Sequence, residues 1–461
     1  MLTYIILLPA ILAFVIAGRH TVAYGFLRVY VPVVLLLPDY YRAITPGLPD
    51  PTFSQAVCVA LAIRYAMARF PGYRFSTNDL WVYGYALCVS YSEYRASGYS
   101  DAQNLMFGML FGAIFPYIFA KSLIEPLGNG FRFARICVLC FSGVAVLSSL
   151  ETRLGLNLWH MTLDRFFPGQ GESWGTTFRF GLARAAGPYA HALLAGMMMI
   201  VAFRFQRWLE WSNAWPSRLQ RFPWLPLRPA QILTLATAGG LFLTLAKGSW
   251  LASFIGAALT AVGRAKQNRV LAMAAILGAL VAVGVPATIK FISYASVGRA
   301  NAGDDNQETA AYRYELITNY MEIANERPNF GWGVNKFPTI PGSASIDNHY
   351  LLLLLMHGRW AFGFFLMLLL GMMIRLVVYG MRQPPTGPPG SALSFTLAGI
   401  NLAFIVAIGT VFMGQQTIPM FFMLNGWAES YMMRRTREWG GNAGQSTVAA
   451  DTRMFRFRRV L

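Results

Sequence analysis

Apolar residues run in long blocks from one end of the chain to the other, separated by shorter polar or turn-rich stretches. The blocks fall near residues 2–17, 23–37, 53–68, 79–92, 104–121, 132–150, 187–203, 230–246, 249–263, 270–292, 350–379, 392–413 and 415–432. A helix needs about 20 mostly apolar residues to cross a hydrocarbon core, and lipid offers its backbone no outside hydrogen-bond partner. The pattern predicts an all-α, polytopic integral membrane protein with about 12–13 transmembrane helices. The first block follows Met1 with no basic region before it and no small-residue cleavage site after it, so it reads as a retained helix.

Two polar interruptions are much longer than the rest. The segment at about 293–349 contains "ETAAYRYELITNYMEIANERPNFGWG", in which Tyr312, Leu316, Tyr320 and Ile323 recur at helical spacing. Arg313, Glu315, Asn319 and Glu322 take the other faces, and Pro328 and Gly331 end the helix. The segment at about 151–186 carries Trp159, His160, Asp164, Arg165, Glu172, Trp174, Arg179 and Arg184. Structureless loops of this length are uncommon unless they are functional.

Composition narrows the picture. Only 13% of the residues are charged against about a quarter in soluble domains, while 56% are hydrophobic. The net charge of +18 raises the question of nucleic acid, but its placement answers it. Arg204, Arg207, Arg218, Arg221 and Arg228 share one connection, and Arg264, Lys266 and Arg269 another. Arg434, Arg435, Arg437, Arg453, Arg456, Arg458 and Arg459 fill the C-terminal tail. Short basic connections stay in the cytoplasm, and alternation then puts the tail inside and both long segments outside. The expected partner of this charge is the lipid bilayer, with no nucleic acid. Cys58, Cys88, Cys137 and Cys140 lie inside apolar blocks and read as packing residues, and no metal or cofactor is expected. No GxxxxGK[ST] loop is present, so the driving energy comes from an ion gradient or from the substrate.

Four stretches carry candidate chemistry. "FGLARAAGPYAHALLAG" sets Arg184, Gly187, Pro188 and His191 at the outer start of a span. Alone, Arg184 reads as a snorkelling interfacial residue; its sharper role is a guanidinium aimed at a phosphate. "LFLTLAKGSWLASF" puts Lys247 at the outer junction of two spans, as an anchor or as a fixed cation facing an anionic head group. Arg313 gains significance beside those two cations, since together they can neutralise a diphosphate. In "SASIDNHYLLLLLMHGRWAFG", an N-cap accounts for one of Asp347, Asn348 and His349, but not for all three.

In this order the four stretches resemble the O-antigen ligase and Wzy-type polymerase superfamily, over roughly residues 180–380. "RAAGPYAH" is similar to that family's RAxGxFxHP segment, and "LTLAKGSW" to its TxSRGxW junction. "RYELITNYMEIANERPNFGWG" resembles the helix before its active-site loop, and "DNHYLLLLLMHG" its H[NSQ]-x9-G signature. Two positions depart from the pattern: Lys247 stands where the family usually has arginine, and Asp347 where it has histidine. Asn348 falls on the Asn/Ser/Gln position, and His349 one step later.

The resemblance implies a membrane glycosyltransferase of the GT-C type in the bacterial inner membrane, with a large periplasmic loop containing amphipathic helices. Such an enzyme takes a glycan from an undecaprenyl diphosphate carrier and passes it to a saccharide acceptor, with inversion and without a metal. It implies Asp347 or His349 as the base, with Asp347 ahead. Arg184, Lys247, Arg313, Asn348 and His191 then bind substrate. The aspartate favours a polymerase-like or exopolysaccharide role over ligation, and further polysaccharide-assembly proteins are expected partners. The chain divides into N-terminal helices at 1–178, a ligase-like core at 179–380, and C-terminal helices with the basic tail at 381–461. The competing class is a transporter or flippase of a lipid-linked or anionic saccharide, which would place charges deep in several spans and break its helices.

Overall fold

The structure, a computed structural model, describes residues 2–44, 47–170, 176–218, 227–334, 336–342, 345–384, 388, 390–414 and 416–440. The side chains of Leu2, Lys266 and residues 434–440 are outside that description, as are Glu172, Trp174, Arg221 and the tail arginines beyond residue 440.

Each predicted apolar block is helical, the 350–379 block with a break at Gly358. In chain order these are α1 (Thr3–Arg19), α2 (Val22–Leu36), α3 (Phe53–Met67), α4 (Thr77–Ser97), α5 (Tyr99–Leu123) and α6 (Gly130–Leu154). A short α7 (Leu158–Leu163) and a two-stranded hairpin, β1 (Phe178–Arg179) with β2 (Leu182–Ala183), fill part of the first long segment. Then come α8 (Ala192–Trp211), α9 (Pro229–Leu243), α10 (Lys247–Val262) and α11 (Arg269–Ala295). α12 (Asp305–Glu326), α13 (His349–Arg382), α14 (Leu393–Ala407) and α15 (Thr417–Gly440) complete the set. α5, α6, α8, α11 and α13 are long and apolar enough to span a membrane. The protein is an all-α, multi-pass membrane protein.

α12 lies where the amphipathic pattern puts it and packs against α11 and α13. Asp304 caps it, accepting the Gln307 N–H at 2.7 Å. Leu316, Tyr320 and Ala324 are buried against Ile346, Leu351 and Leu355. Arg313, expected on a solvated face, is half-buried instead. It stands seven residues before Tyr320, two helical turns along the same packed face.

The run 350–379 does not form the single uninterrupted helix that its hydropathy predicts. α13 breaks at Gly358, whose backbone adopts φ 71° and ψ −174°. The break frees the Leu355 and Met356 carbonyls, and the turn after α12 takes them. Trp332 N–H donates to Leu355 O and Gly333 N–H to Met356 O, each at 2.9 Å, while Arg359 N–H turns to Pro328 O at 2.7 Å. The two backbones are so close that a Cβ on Gly358 would lie 2.5 Å from the Asn329 carbonyl. α4 locks the joint: Ser92 Oγ lies 2.9 Å from Met356 O, and Glu93 accepts the Val334 N–H at 2.7 Å.

At the opposite end of α4, Lys121 pairs with Asp79, and both are buried. Tyr73, Tyr117 and Ser76 complete the hydrogen-bonding of that pair. The sequence pattern places charged groups mainly at the outer span ends, and this cluster departs from it. A buried ion pair survives in such surroundings only when its remaining valences are met, and here they are.

Candidate functional site

The site grows from a turn. At the end of α6 the buried Glu151 carboxylate accepts the Ala186 N–H at 3.0 Å and the Gly187 N–H at 2.9 Å. Asn157 Nδ2 donates to Glu151 at 3.1 Å and to Gly187 O at 2.8 Å, so the turn is held from both sides. Gly187 has φ 58°, and a Cβ there would meet Val144 at 3.1 Å. The RAAGP stretch is therefore a fixed platform with Arg184 at one end and His191 at the other.

Arg184 is only 9% exposed. Its Nε donates to Thr244 O at 3.3 Å and its Nη1 makes a long 3.5 Å contact to Thr177 Oγ1. Nη2 is buried and has no hydrogen-bond acceptor among the described residues. Burial, followed by the neighbouring Arg179 charge, pulls the Arg184 pKa down to about 10, which still leaves it charged at neutral pH. An N–H of a buried cation that lacks an acceptor is costly unless an anion meets it.

The α9–α10 junction closes around the same group. Leu245, at φ 47°, reverses the chain in a conformation disfavoured for a branched residue. Arg179 Nη1 donates to Leu245 O at 2.7 Å, so a second guanidinium is tied to this junction beside Arg184. Lys247 is the first residue of α10 and is exposed. A cation at a helix N-terminus opposes the macrodipole, and no side chain caps these amide groups. Both features suit a bound anion.

The stretch Asp347–His349 splits its three polar side chains between three tasks. Asn348 is the N-cap of α13, and its Oδ1 accepts the Tyr350 and Leu351 N–H groups at 3.0 and 3.2 Å. His349 turns into the bundle and is 8% exposed. Its Nδ1 accepts the Met413 N–H at 3.3 Å and its ring stands edge-on to Phe365 at 5.3 Å. That bond puts the proton of the neutral ring on Nε2, which is buried without a partner among the described residues.

Asp347 stays half-buried and accepts from Ser345 Oγ at 3.0 Å. Its charge acts on His191 and on Tyr312 of α12. Tyr312 OH donates to Ser345 O at 2.6 Å, and Arg299, paired with Glu315 at 2.7 Å, lies over the Tyr312 ring. His191 caps α8, with its Nδ1 accepting the Leu193 N–H at 3.2 Å. Burial first and the Arg184 charge second lower its pKa to about 4, while Asp347 opposes them. His191 is thus a neutral ring within electrostatic reach of both Arg184 and Asp347.

Arg184 and Asp347 each lie within electrostatic reach of His191, and Lys247 follows the junction whose carbonyls hold Arg184 and Arg179. It directs His349 elsewhere, and it occupies Asn348 Oδ1 with backbone. Arg313 sits on the packed face of α12 and makes no ion pair among the described residues. Sequence reasoning passed over Glu151 and did not single out Arg179. A carboxylate at the end of an apolar block is the signal that marks Glu151.

Residues 232–366 match the O-antigen ligase family. That match runs from α9 to the first half of α13 and is a similarity over this part of the chain. That family's members act on glycans as ligases and polymerases, and the match supports a role of that kind for this chain. The matched segment includes Lys247, α12 and the Asp347 stretch, whereas Arg184, His191 and Glu151 come from the chain before it. No curated protein matches the chain.

Proposed function

We propose that the chain transfers a glycan from a polyprenyl diphosphate to a hydroxyl of an acceptor saccharide at the Asp347 end of the bundle. Asp347 takes the acceptor hydroxyl proton, the oxygen attacks the anomeric carbon with inversion, and the bond from that carbon to the diphosphate breaks. The proton ends on the carboxylate and the new negative charge on the departing diphosphate. A carboxylate is a competent general base when it contacts the hydroxyl it deprotonates. Arg184, Arg179 and Lys247 are suited to receive the diphosphate, because cations fixed where charge develops lower the barrier. His191, neutral and with its proton on Nε2, suits a hydrogen bond to a substrate oxygen. Arg313 is a further cation for the same head group. In this reading no metal takes part, the site faces the periplasm from the inner membrane, and the product is a polymer rather than a ligated core.

One observation carries the reading: Asp347 and the buried Arg184, with its unused Nη2, both act on His191. The test is the purified chain in proteoliposomes with a labelled polyprenyl-diphosphate glycan and an unlabelled acceptor. Label should move to the acceptor, and Arg184→Gln should slow that movement by about 10²–10³-fold, the usual loss for one transition-state donor. Label that crosses the bilayer while still on its carrier would identify a transporter instead.

A further inference from the structure

We infer that the end of α8 remote from His191 holds the head group of an anionic phospholipid. Arg204 is 5% exposed, yet its Nε has no hydrogen-bond acceptor and its guanidinium no carboxylate partner among the described residues. Its guanidinium lies 4.7 Å from the Phe203 ring. Arg269, also buried, differs in having backbone acceptors on its guanidinium: Nη1 donates to Gly380 O at 3.0 Å and to Gln383 O at 2.8 Å, although its Nε, like that of Arg204, has no acceptor among the described residues. An uncompensated buried charge is among the costliest features a fold can carry, so Arg204 calls for an anion.

The surroundings say which kind. Arg207 and Trp211 lie three and seven residues along α8, on the same face as Arg204. The guanidinium groups of Arg207 and of Arg264, at the end of α10, both lie over the Trp211 ring, at 5.0 and 4.9 Å. Arg207 is neutralised by Glu210 at 2.5 Å; Arg264 is exposed and has no carboxylate partner among the described residues. The guanidinium groups of Arg204 and Arg264 therefore both stand at this end of α8 without a carboxylate partner among the described residues. Trp208 and Trp211 mark head-group depth, where such rings collect. α8 has 20 residues and so runs about 30 Å, placing this region a membrane's thickness from the Asp347 site. Arg204 itself lies about 10 Å back from Trp211 into the apolar bundle. A phosphate tethered to acyl chains reaches that depth from the lipid side, whereas a free ion would have to leave water alone.

The full-length protein in detergent, titrated with phosphatidylglycerol, phosphatidylcholine or inorganic phosphate, tests this by native mass spectrometry and thermal unfolding. Phosphatidylglycerol should be retained and should raise Tm, with phosphatidylcholine about tenfold weaker. Arg204→Gln and Arg264→Gln should each cut the phosphatidylglycerol preference about tenfold, as expected for one charge-assisted contact. Arg264 is exposed, so its variant keeps the test valid if Arg204→Gln does not fold. Equal retention of both lipids by the unaltered protein, or an unchanged preference in Arg264→Gln, would overturn the inference. So would inorganic phosphate matching the lipid's effect, since that result assigns the site to a soluble anion.

Discussion

Asp347 and His349 are two residues apart, and replacing each should damage the protein in a different way. Asp347→Asn keeps the shape of the side chain and an oxygen for Ser345 Oγ, 3.0 Å away, so the fold should be nearly unaffected. It removes the carboxylate we propose as the base, and loss of a positioned general base costs about 10²–10⁴-fold in turnover. His349→Leu should do the opposite. It leaves the buried Met413 N–H, now bonded to Nδ1 at 3.3 Å, without an acceptor, at a cost of about 1–3 kcal/mol. Loss of the ring against Phe365 adds to that, while the partnerless Nε2 that disappears offsets part of it. The result should be a Tm lower by several degrees with turnover per folded molecule within a few-fold of the parent. Single-turnover transfer from a labelled polyprenyl-diphosphate glycan, normalised to folded protein by size-exclusion chromatography, separates the two. A well-folded His349→Leu that is inert, beside an active Asp347→Asn, would refute the assignment of the base.

Glu151→Gln offers one acceptor oxygen to two N–H donors, so one of Ala186 and Gly187 loses its partner at about 1–3 kcal/mol. The Arg184 platform then loosens, and KM for the lipid-linked donor should rise more than that for the acceptor. Gly358→Ala places a Cβ 2.5 Å from backbone that cannot yield, at φ 71°, and should abolish recovery of monodisperse protein from detergent extracts. His191 has a folded pKa of about 4, below its unfolded value near 6.5, so the unfolded chain binds its proton first. Stability should therefore fall as pH drops from 6.5 towards 4, and a Tm-against-pH series should be flatter through that window in His191→Gln.

The helices, including the amphipathic α12, were legible in the chain because each depends on local periodicity and turn chemistry, which the sequence states directly. A run such as 132–150 can only be a helix if lipid surrounds it, and Pro328 with Gly331 ends α12 wherever it packs. The same reasoning failed at Gly358, for hydropathy sees "YLLLLLMHGRWAFGFF" as unbroken. The break exists because a distant turn supplies the donors that the Leu355 and Met356 carbonyls lose. Local pattern also could not separate Asp347 from His349. Their side chains diverge at the start of α13, one bonded to Ser345 Oγ and within electrostatic reach of His191, the other towards the Met413 amide. Nor could it connect Glu151 with a turn 35 residues later. By itself the sequence determined the helices, the solvent they require and a short set of polar residues as candidates for chemistry. Which of those residues meet, and which are spent on holding backbone, was decided by tertiary structure, because burial and hydrogen-bond partners come from segments far apart in the chain.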